Sequence, residues 1–348
     1  MSTRTDIMSF DVPGLQDIMT DLGHKPYRGR QLADWLYLRR VKTFEEMDNL
    51  PRALRQALEE RFSLQQPKLV EKLIDPDGTV RYVLQLGDEQ LTETVALTSS
   101  GRLTVCFSTQ VGCALGCIFC ATAKLGLSRS LLAGEMLAQL AVVADDFAET
   151  RISNVVAMGQ GEPFANYEAT LSALRMMNSP GLFGVGARHI TVSSAGLISQ
   201  VKRFAAEPEQ FTLAISLHSA RQRTRDFLMP KLAAQPLDKL REALVYYMAE
   251  TSRRVSLEYA LIEGVNDSRQ SLASLLAFCE VPSPGFHVNL LSLNEISEFL
   301  PDAEPLKRAG AAAFSRFEQE LSRAGISVSK RVSRGESIAA ACGQLAHR

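Results

Sequence analysis

The sequence contains no uninterrupted apolar stretch approaching the roughly 20 residues that a spanning helix needs, so nothing in it reads as a membrane segment. It also lacks a dominant charge. Its 38 Lys and Arg against 39 Asp and Glu leave a formal net charge of −1. Whole-molecule attraction therefore does not point to nucleic acid, and any RNA binding has to come from local basic clusters. Met1 to Pro13 lack the basic start and apolar run of a secretory leader, and they carry Asp6 and Asp11. A cytoplasmic location is expected. Cysteine is scarce too. Six in 348 residues, with no export signal, do not make a disulfide framework. Three of the six nonetheless fall within eight residues, and in a reducing compartment that crowding suggests a metal.

What is present is an ordinary globular composition, 46% hydrophobic and 22% charged. From Leu15 to about Leu64 apolar residues recur three and four apart, as in Gln31 to Leu38 and Leu54 to Leu58, with Pro51 marking a helix start. Alternating runs Thr79 to Leu86 and Leu91 to Leu97 read as a hairpin across Gly87-Asp88. Beyond residue 100 strand-like and helical runs alternate. The strands are Leu103 to Ser108, Asn154 to Met158, His189 to Val192, Phe211 to Ser216, Arg254 to Ile262 and His287 to Leu293. A seventh, Ile326 to Arg331, follows the helix Ala309 to Ala324. This rhythm predicts an α/β fold with a parallel sheet and right-handed crossovers, a partial (βα)6 TIM-like barrel beside a small N-terminal helical domain. The expected layout is a helical accessory module over 1–75, a connecting hairpin over 76–98, the barrel over 99–335 and a tail over 336–348.

In such barrels function gathers on loops at the carboxyl ends of the strands, and the unusual residues follow strands here. Cys113, Cys117 and Cys120 form C-x3-C-x2-C after the first run. Thiolates ligate iron–sulfur clusters, and three of them leave one iron of a cubane open, as a catalytic site needs. Gly112 and Gly116 let the loop curl. A zinc site short of its fourth ligand, or three core cysteines, would also crowd thiols together. Gly161 and Glu162 follow the second run, Ser193 and Ser194 the third, His218 the fourth and Asn294 the sixth. Each alone is an ordinary turn or structural residue; at successive strand ends they become candidate ligand contacts. Cys106 lies inside the first strand run, and Cys342 sits near the end between Ala341 and Gly343, suited to a thiol that has to travel.

Further motifs join these: Tyr27-Arg-Gly-Arg-Gln-Leu, Glu93-Thr-Val, Cys120-Ala-Thr, Gly161-Glu-Pro-Phe, Gly186-Ala-Arg-His-Ile-Thr-Val-Ser193, Ala214-Ile-Ser-Leu-His218, Gly264-Val-Asn-Asp267 and Ala340-Ala-Cys-Gly-Gln-Leu345. Together they resemble the RlmN/Cfr family of radical-SAM RNA methyltransferases over essentially the whole chain. The resemblance implies a [4Fe–4S] cluster on Cys113, Cys117 and Cys120, and two S-adenosylmethionine molecules per turnover. It makes Cys342 the methyl carrier, Cys106 the resolving thiol and Glu93 the proton acceptor. Gly161, Glu162, Ser193, Ser216, Leu217, His218 and Asn294 match the family's S-adenosylmethionine contacts.

RlmN-like members methylate C2 of one adenine, adenine 2503, in 23S rRNA, and many also modify adenine 37 of tRNA. Cfr-like members methylate C8 of the same rRNA adenine. The resemblance implies that Cys342 is first methylated by displacement. A 5′-deoxyadenosyl radical then takes hydrogen from the S-methyl group, the carbon radical adds to the ring, and Cys106 frees the product by forming a disulfide with Cys342. Implied partners are 23S rRNA, tRNA and an electron donor such as flavodoxin or ferredoxin, with a monomeric enzyme. Gly186-Ala-Arg-His-Ile and Glu162-Pro-Phe lie closer to the RlmN-like pattern, so C2 is expected over C8.

Arg28, Arg30, Arg39, Arg40 and Lys42, and separately Lys330, Arg331 and Arg334, are candidate phosphate contacts. The chain departs from the family pattern at Met229-Pro-Lys-Leu232, which loses an asparagine, at Ser292 in place of a proline, at Gln160, and in a long loop after Asn294.

Overall fold

The computed structural model describes residues 4–64, 66–296 and 305–346. The long loop after Asn294 lies largely outside them. Ten strands form one sheet: β1 (Lys68–Ile74), β2 (Val80–Gln85), β3 (Leu91–Ser99), β4 (Arg102–Cys106), β5 (Ile152–Ala157), β6 (Ile190–Ser194), β7 (Thr212–Ser216), β8 (Val255–Leu261), β9 (Phe286–Ser292) and β10 (Ser327–Arg331). Their order in the sheet is their order in the chain. β1 to β4 pair antiparallel, and β4 to β10 are parallel. The seven parallel strands are the seven runs read from the sequence. Val, Ile and Leu dominate them because helices cover their outer face.

Those helices are α4 (Ala133–Asp146), α5 (Tyr167–Asn178), α6 (Ile198–Ala205), α7 (Leu237–Thr251), α8 (Arg269–Cys279) and α9 (Ala311–Arg323), one per crossover. α8 begins where the Ser268 hydroxyl accepts the Ser271 N–H at 3.1 Å, as a Ser N-cap should. Six βα units and a closing strand make the expected partial barrel.

The N-terminal module contains α1 (Val12–Asp21), α2 (Tyr27–Ala33), whose last turn widens over Asp34–Leu38, and α3 (Arg52–Arg61), which starts directly after Pro51. It is not separate from the barrel. Leu15, Leu36 and Leu54 belong to the same apolar core as Leu137 and Val155. A Cβ on Gly134 of α4 would stand 2.0 Å from the Met8 carbonyl oxygen, so the backbones touch there.

Two assignments change. Residues 68–74, placed by sequence in the helical module, are strand β1; its Lys, Glu and exposed Leu69 and Val70 suit a solvated sheet edge and hide the strand pattern. The hairpin of β2 and β3 is no mere connector, because β3 pairs with β4 and continues the barrel sheet.

Candidate active site

A cavity of about 270 Å³ opens at the carboxyl ends of the parallel strands. One wall is the cysteine loop. After β4 the chain forms a short strand, Gln110–Gly112, paired with Leu127–Ser130. Gly112 has φ +76°, and a Cβ there would lie 1.9 Å from the Gly126 carbonyl oxygen, so no other residue fits. Cys113 N–H then donates to Gly126 O at 2.8 Å, and Ile118 N–H to Leu228 O at 3.0 Å. Cys113, Cys117 and Cys120 all line the cavity beside Leu115 and Phe119. Burial raises each thiol, Cys113 to about 11, and the sulfurs add to it by mutual repulsion. Binding iron would therefore displace protons.

Among the described residues no three His, Cys, Asp or Glu side chains converge as a single ion would require. A cluster several bonds across needs a cavity bordered by thiols, and the loop fits that demand.

A buried cation supports the loop. The Arg225 guanidinium donates from Nη2 to Ala195 O, while its Nε and Nη1 have no hydrogen-bond partner among the described residues. Burial lowers it to about 10, and Cys117 opposes that shift. The departure at 231–232 is accommodated here too. Lys231 carbons lie 3.5 Å from where a Cβ of Gly116 would be, and buried Leu232 packs with Cys117 and Met229.

The second wall carries the strand-end residues. Glu162 is buried; its Oε2 accepts the Ala195 N–H at 2.7 Å and Oε1 the Phe164 N–H at 3.0 Å. Desolvation raises its carboxyl against these bonds. Gly161, at φ +99°, turns the chain where a Cβ would press on Gln110. Ser193, Ser216 and His218 line the cavity. His218 Nδ1 accepts the Ala260 N–H at 3.1 Å, so the proton of the neutral ring sits on Nε2. Burial and Arg225 lower that imidazole to about 3. Leu217 is fully buried and does not line the cavity; its N–H donates to Glu258 O.

The tail closes the third side. Cys342 lines the cavity with its residue exposed, and Cys106 lies on the opposite strand β4. Burial, then Cys342, pushes the Cys106 thiol up to about 12. The tail is tied down, not loose. Asn294 Nδ2 donates to Cys342 O at 2.9 Å, Ala121 N–H to Gly343 O at 2.7 Å, and Thr122 Oγ1 to Leu345 O at 2.6 Å. Upstream, Ser337 Oγ donates to Asp75 at 2.6 Å and Gly335 N–H to Asp77 at 3.1 Å. Asn294, expected at the cofactor, lines the cavity and also holds the tail.

Glu93 is fully buried next to the cavity wall. It shares a strand face with the liners Val95 and Leu97, forms an ion pair with Arg81, and accepts from Gln160 Nε2 at 3.1 Å. The atypical Gln160 is therefore part of the Glu93 cluster. Arg81 also donates to Ile338 O at 3.0 Å, coupling that cluster to the tail.

Sequence reading missed Glu258 and misplaced two arginines. Arg331 is not a phosphate contact on the surface: it ends β10 on the inward face, lines the cavity, and has Cys342, Glu258 and Cys106 as electrostatic neighbours. Arg334 is bonded to Thr98 O at 2.6 Å and paired with Asp77. Lys330 pairs with Glu318. In the N-terminal patch Arg39 and Arg40 are paired with Asp34 and Asp145, whereas Arg30 and Lys42 are exposed with no ion pair among the described residues.

A parallel partial barrel with a three-cysteine loop at its strand ends defines a radical-SAM protein, and residues 107–276 match the radical SAM superfamily. Residues 5–64 match the ribosomal RNA large subunit methyltransferase N-terminal domain. The chain is 42% identical over 344 residues to a Lysinibacillus sphaericus protein named "Probable dual-specificity RNA methyltransferase RlmN", covering 98% of this chain and 89% of that one. A Geobacillus kaustophilus protein of the same name is 41% identical, with 97% and 92% covered. The crystal structure of a radical SAM methyltransferase from Sphaerobacter thermophilus superposes with a TM-score of 0.89 at 39% identity, covering 98% of each chain. The chain belongs to the RlmN family of radical-SAM methyltransferases.

Proposed function

We propose that this chain methylates C2 of adenine 2503 in 23S rRNA and C2 of adenine 37 in tRNA, carrying the methyl group on Cys342. The observation that supports this most is one cavity bordered both by three loop thiols and by a second pair, Cys106 and Cys342. An adenine C2 is electron-poor and does not attack a sulfonium methyl, so a carrier thiol and a radical route answer the same need. A [4Fe–4S] cluster on Cys113, Cys117 and Cys120 would bind S-adenosylmethionine at its open iron and supply the electron for reductive cleavage.

The chain's own residues do the rest. Glu162, with backbone N–H groups fixing both oxygens, presents a carboxylate to the cofactor's ammonium, while the cavity-lining Gly161, Ser193, Ser216, His218 and Asn294 shape its remaining contacts and buried Leu217 acts through the backbone behind them. Cys342 takes a methyl group from one cofactor molecule by displacement at carbon. A second molecule serves each turnover, so two are consumed. Once the S-methyl group has lost a hydrogen atom and its carbon has bonded to the adenine ring, which gives up one electron and its ring proton, the Cys106 thiolate attacks the Cys342 sulfur. The S–S bond forms as the S–C bond breaks, the released carbon takes up a proton to become the methyl group, and an external dithiol reduces the pair. The ring proton goes to Glu93 or to the Cys106 thiolate. A flavodoxin- or ferredoxin-type donor delivers the electron, and the enzyme acts as a monomer. The target adenine has to leave its stack to enter the cavity.

Nucleoside mass spectrometry of 23S rRNA fragments and tRNA treated with reconstituted enzyme should yield 2-methyladenosine. Only 8-methyladenosine would reject the C2 assignment. Cys342→Ala should lose methylation while keeping its iron and sulfide.

A further inference from the structure

Glu258 is a carboxylate in the middle of the buried strand β8, where its neighbours Leu257, Tyr259 and Ala260 are apolar or aromatic. It is 4% exposed and lines the cavity. Sheet register sets it between Ser216 on β7 and Asn289 on β9. Its Oε1 accepts from Asn289 Nδ2 at 2.8 Å. The Glu258 carboxylate, an acceptor, sets the orientation of that amide, whose Oδ1 then accepts from the Ser329 hydroxyl at 2.5 Å and faces His287 Nε2 at 2.8 Å. The network fixes one carboxylate oxygen. The other, Oε2, is buried with no hydrogen-bond partner among the described residues. A buried acceptor in that condition carries a desolvation penalty, which the Arg331 guanidinium nearby offsets only in part. The second cavity carboxylate, Glu162, differs: both of its oxygens already receive backbone N–H groups.

We propose that Glu258 is the acceptor that reads an adenosine moiety in this cavity, receiving a ribose hydroxyl or the exocyclic amine. The inference rests on the function proposed above, in which the cavity admits two adenosines, that of the cofactor and that of the target nucleotide. Oε2 has a lone pair open to a donor, and those are the neutral donors an adenosine offers. Asn289, Ser329 and His287 are positioning residues, holding Glu258 in one orientation as a supporting shell should.

Glu258→Gln is the discriminating variant. Asn289 Nδ2 still demands an acceptor, so the new amide turns its oxygen there and points N–H groups at the ligand's own donor. S-adenosylhomocysteine, which neither donates a methyl nor can be reduced to a radical, is titrated calorimetrically into reconstituted wild type and variant. A tenfold or greater loss of affinity assigns Glu258 to the cofactor's adenosine. Unchanged affinity, with 5′-deoxyadenosine release intact and kcat/KM for a 23S rRNA transcript down tenfold or more, assigns it to the target. Both quantities within twofold of wild type overturn the inference, whatever happens to stability. Should Glu258→Gln fail to load iron, Asn289→Ala replaces it, expected to weaken one of the two quantities about threefold; no change there overturns the proposal equally. Wild type that does not methylate RNA would defeat the underlying function, whereas an unaffected variant of a methylating enzyme defeats this inference alone.

Discussion

His218 holds a left-handed backbone, φ +51°, which a non-glycine residue adopts only when its surroundings insist. Asn266 Nδ2 donates to its carbonyl at 2.7 Å, Ala260 N–H fixes Nδ1, and Phe119 packs edge-on at 4.6 Å. Its imidazole titrates near 3 when folded and near the ordinary 6.5 when unfolded. Acid therefore protonates the unfolded chain first. This contribution to stability is complete above pH 6.5 and is lost as pH falls from there towards 3, at about 1.4 kcal/mol per unit. Urea midpoints of wild type against His218→Asn should converge over that range; parallel curves would contradict the buried neutral ring. The Glu93–Arg81 pair gives a second residue-scale expectation. Arg81→Leu strips a buried carboxylate of its cation and should cost about 3–5 kcal/mol in denaturant unfolding. Loss of the exposed Lys239–Glu242 pair should leave the unfolding midpoint unchanged, because solvent screens it.

At the scale of elements, the tail is a strap held from both sides. Asp75 and Asp77 grip it upstream of Cys342, and Ala121, Thr122 and Asn294 grip it at and beyond that residue. Asp77→Ala removes the acceptor for Gly335 N–H and the partner of Arg334. Amide hydrogen exchange over 335–346 should then quicken by about tenfold or more, since hydrogen bonds to charged groups contribute about 1.5–3 kcal/mol each. Unchanged exchange would mean that the downstream contacts alone hold the strap. The same elements show what the sequence discloses. Buried strands such as Ile152–Ala157 are legible because apolar, β-branched runs have few other uses. The cysteine loop is legible because its C-x3-C-x2-C spacing is local. β1 escapes because an exposed edge strand carries no burial pattern. Arg331 is misread because charge suggests solvent, while strand alternation and the closing of the barrel turn it inward. Glu258 leaves a trace, a lone carboxylate within an apolar strand, but its Asn289 partner is 31 residues away.

For the whole molecule, near-neutral charge makes RNA affinity depend on patches, and ion pairing occupies part of the two basic patches read from the sequence. Arg28, Arg30 and Lys42 are the cations of the N-terminal patch with no ion pair among the described residues. Replacing all three by Ala should flatten the plot of log affinity for single-stranded RNA against log salt by about two, at roughly 0.7 per phosphate contact. An unchanged slope would place the RNA elsewhere. The shared core ties that module to the barrel, so both should unfold in one transition.

Strand order identical to chain order has a consequence for biosynthesis. Each strand finds its neighbour already made, so the sheet can grow as the polypeptide emerges, one hairpin or crossover at a time. Cys342 comes after the last strand. The Cys342 thiol thus joins the three loop thiols only after every strand of the sheet has been made.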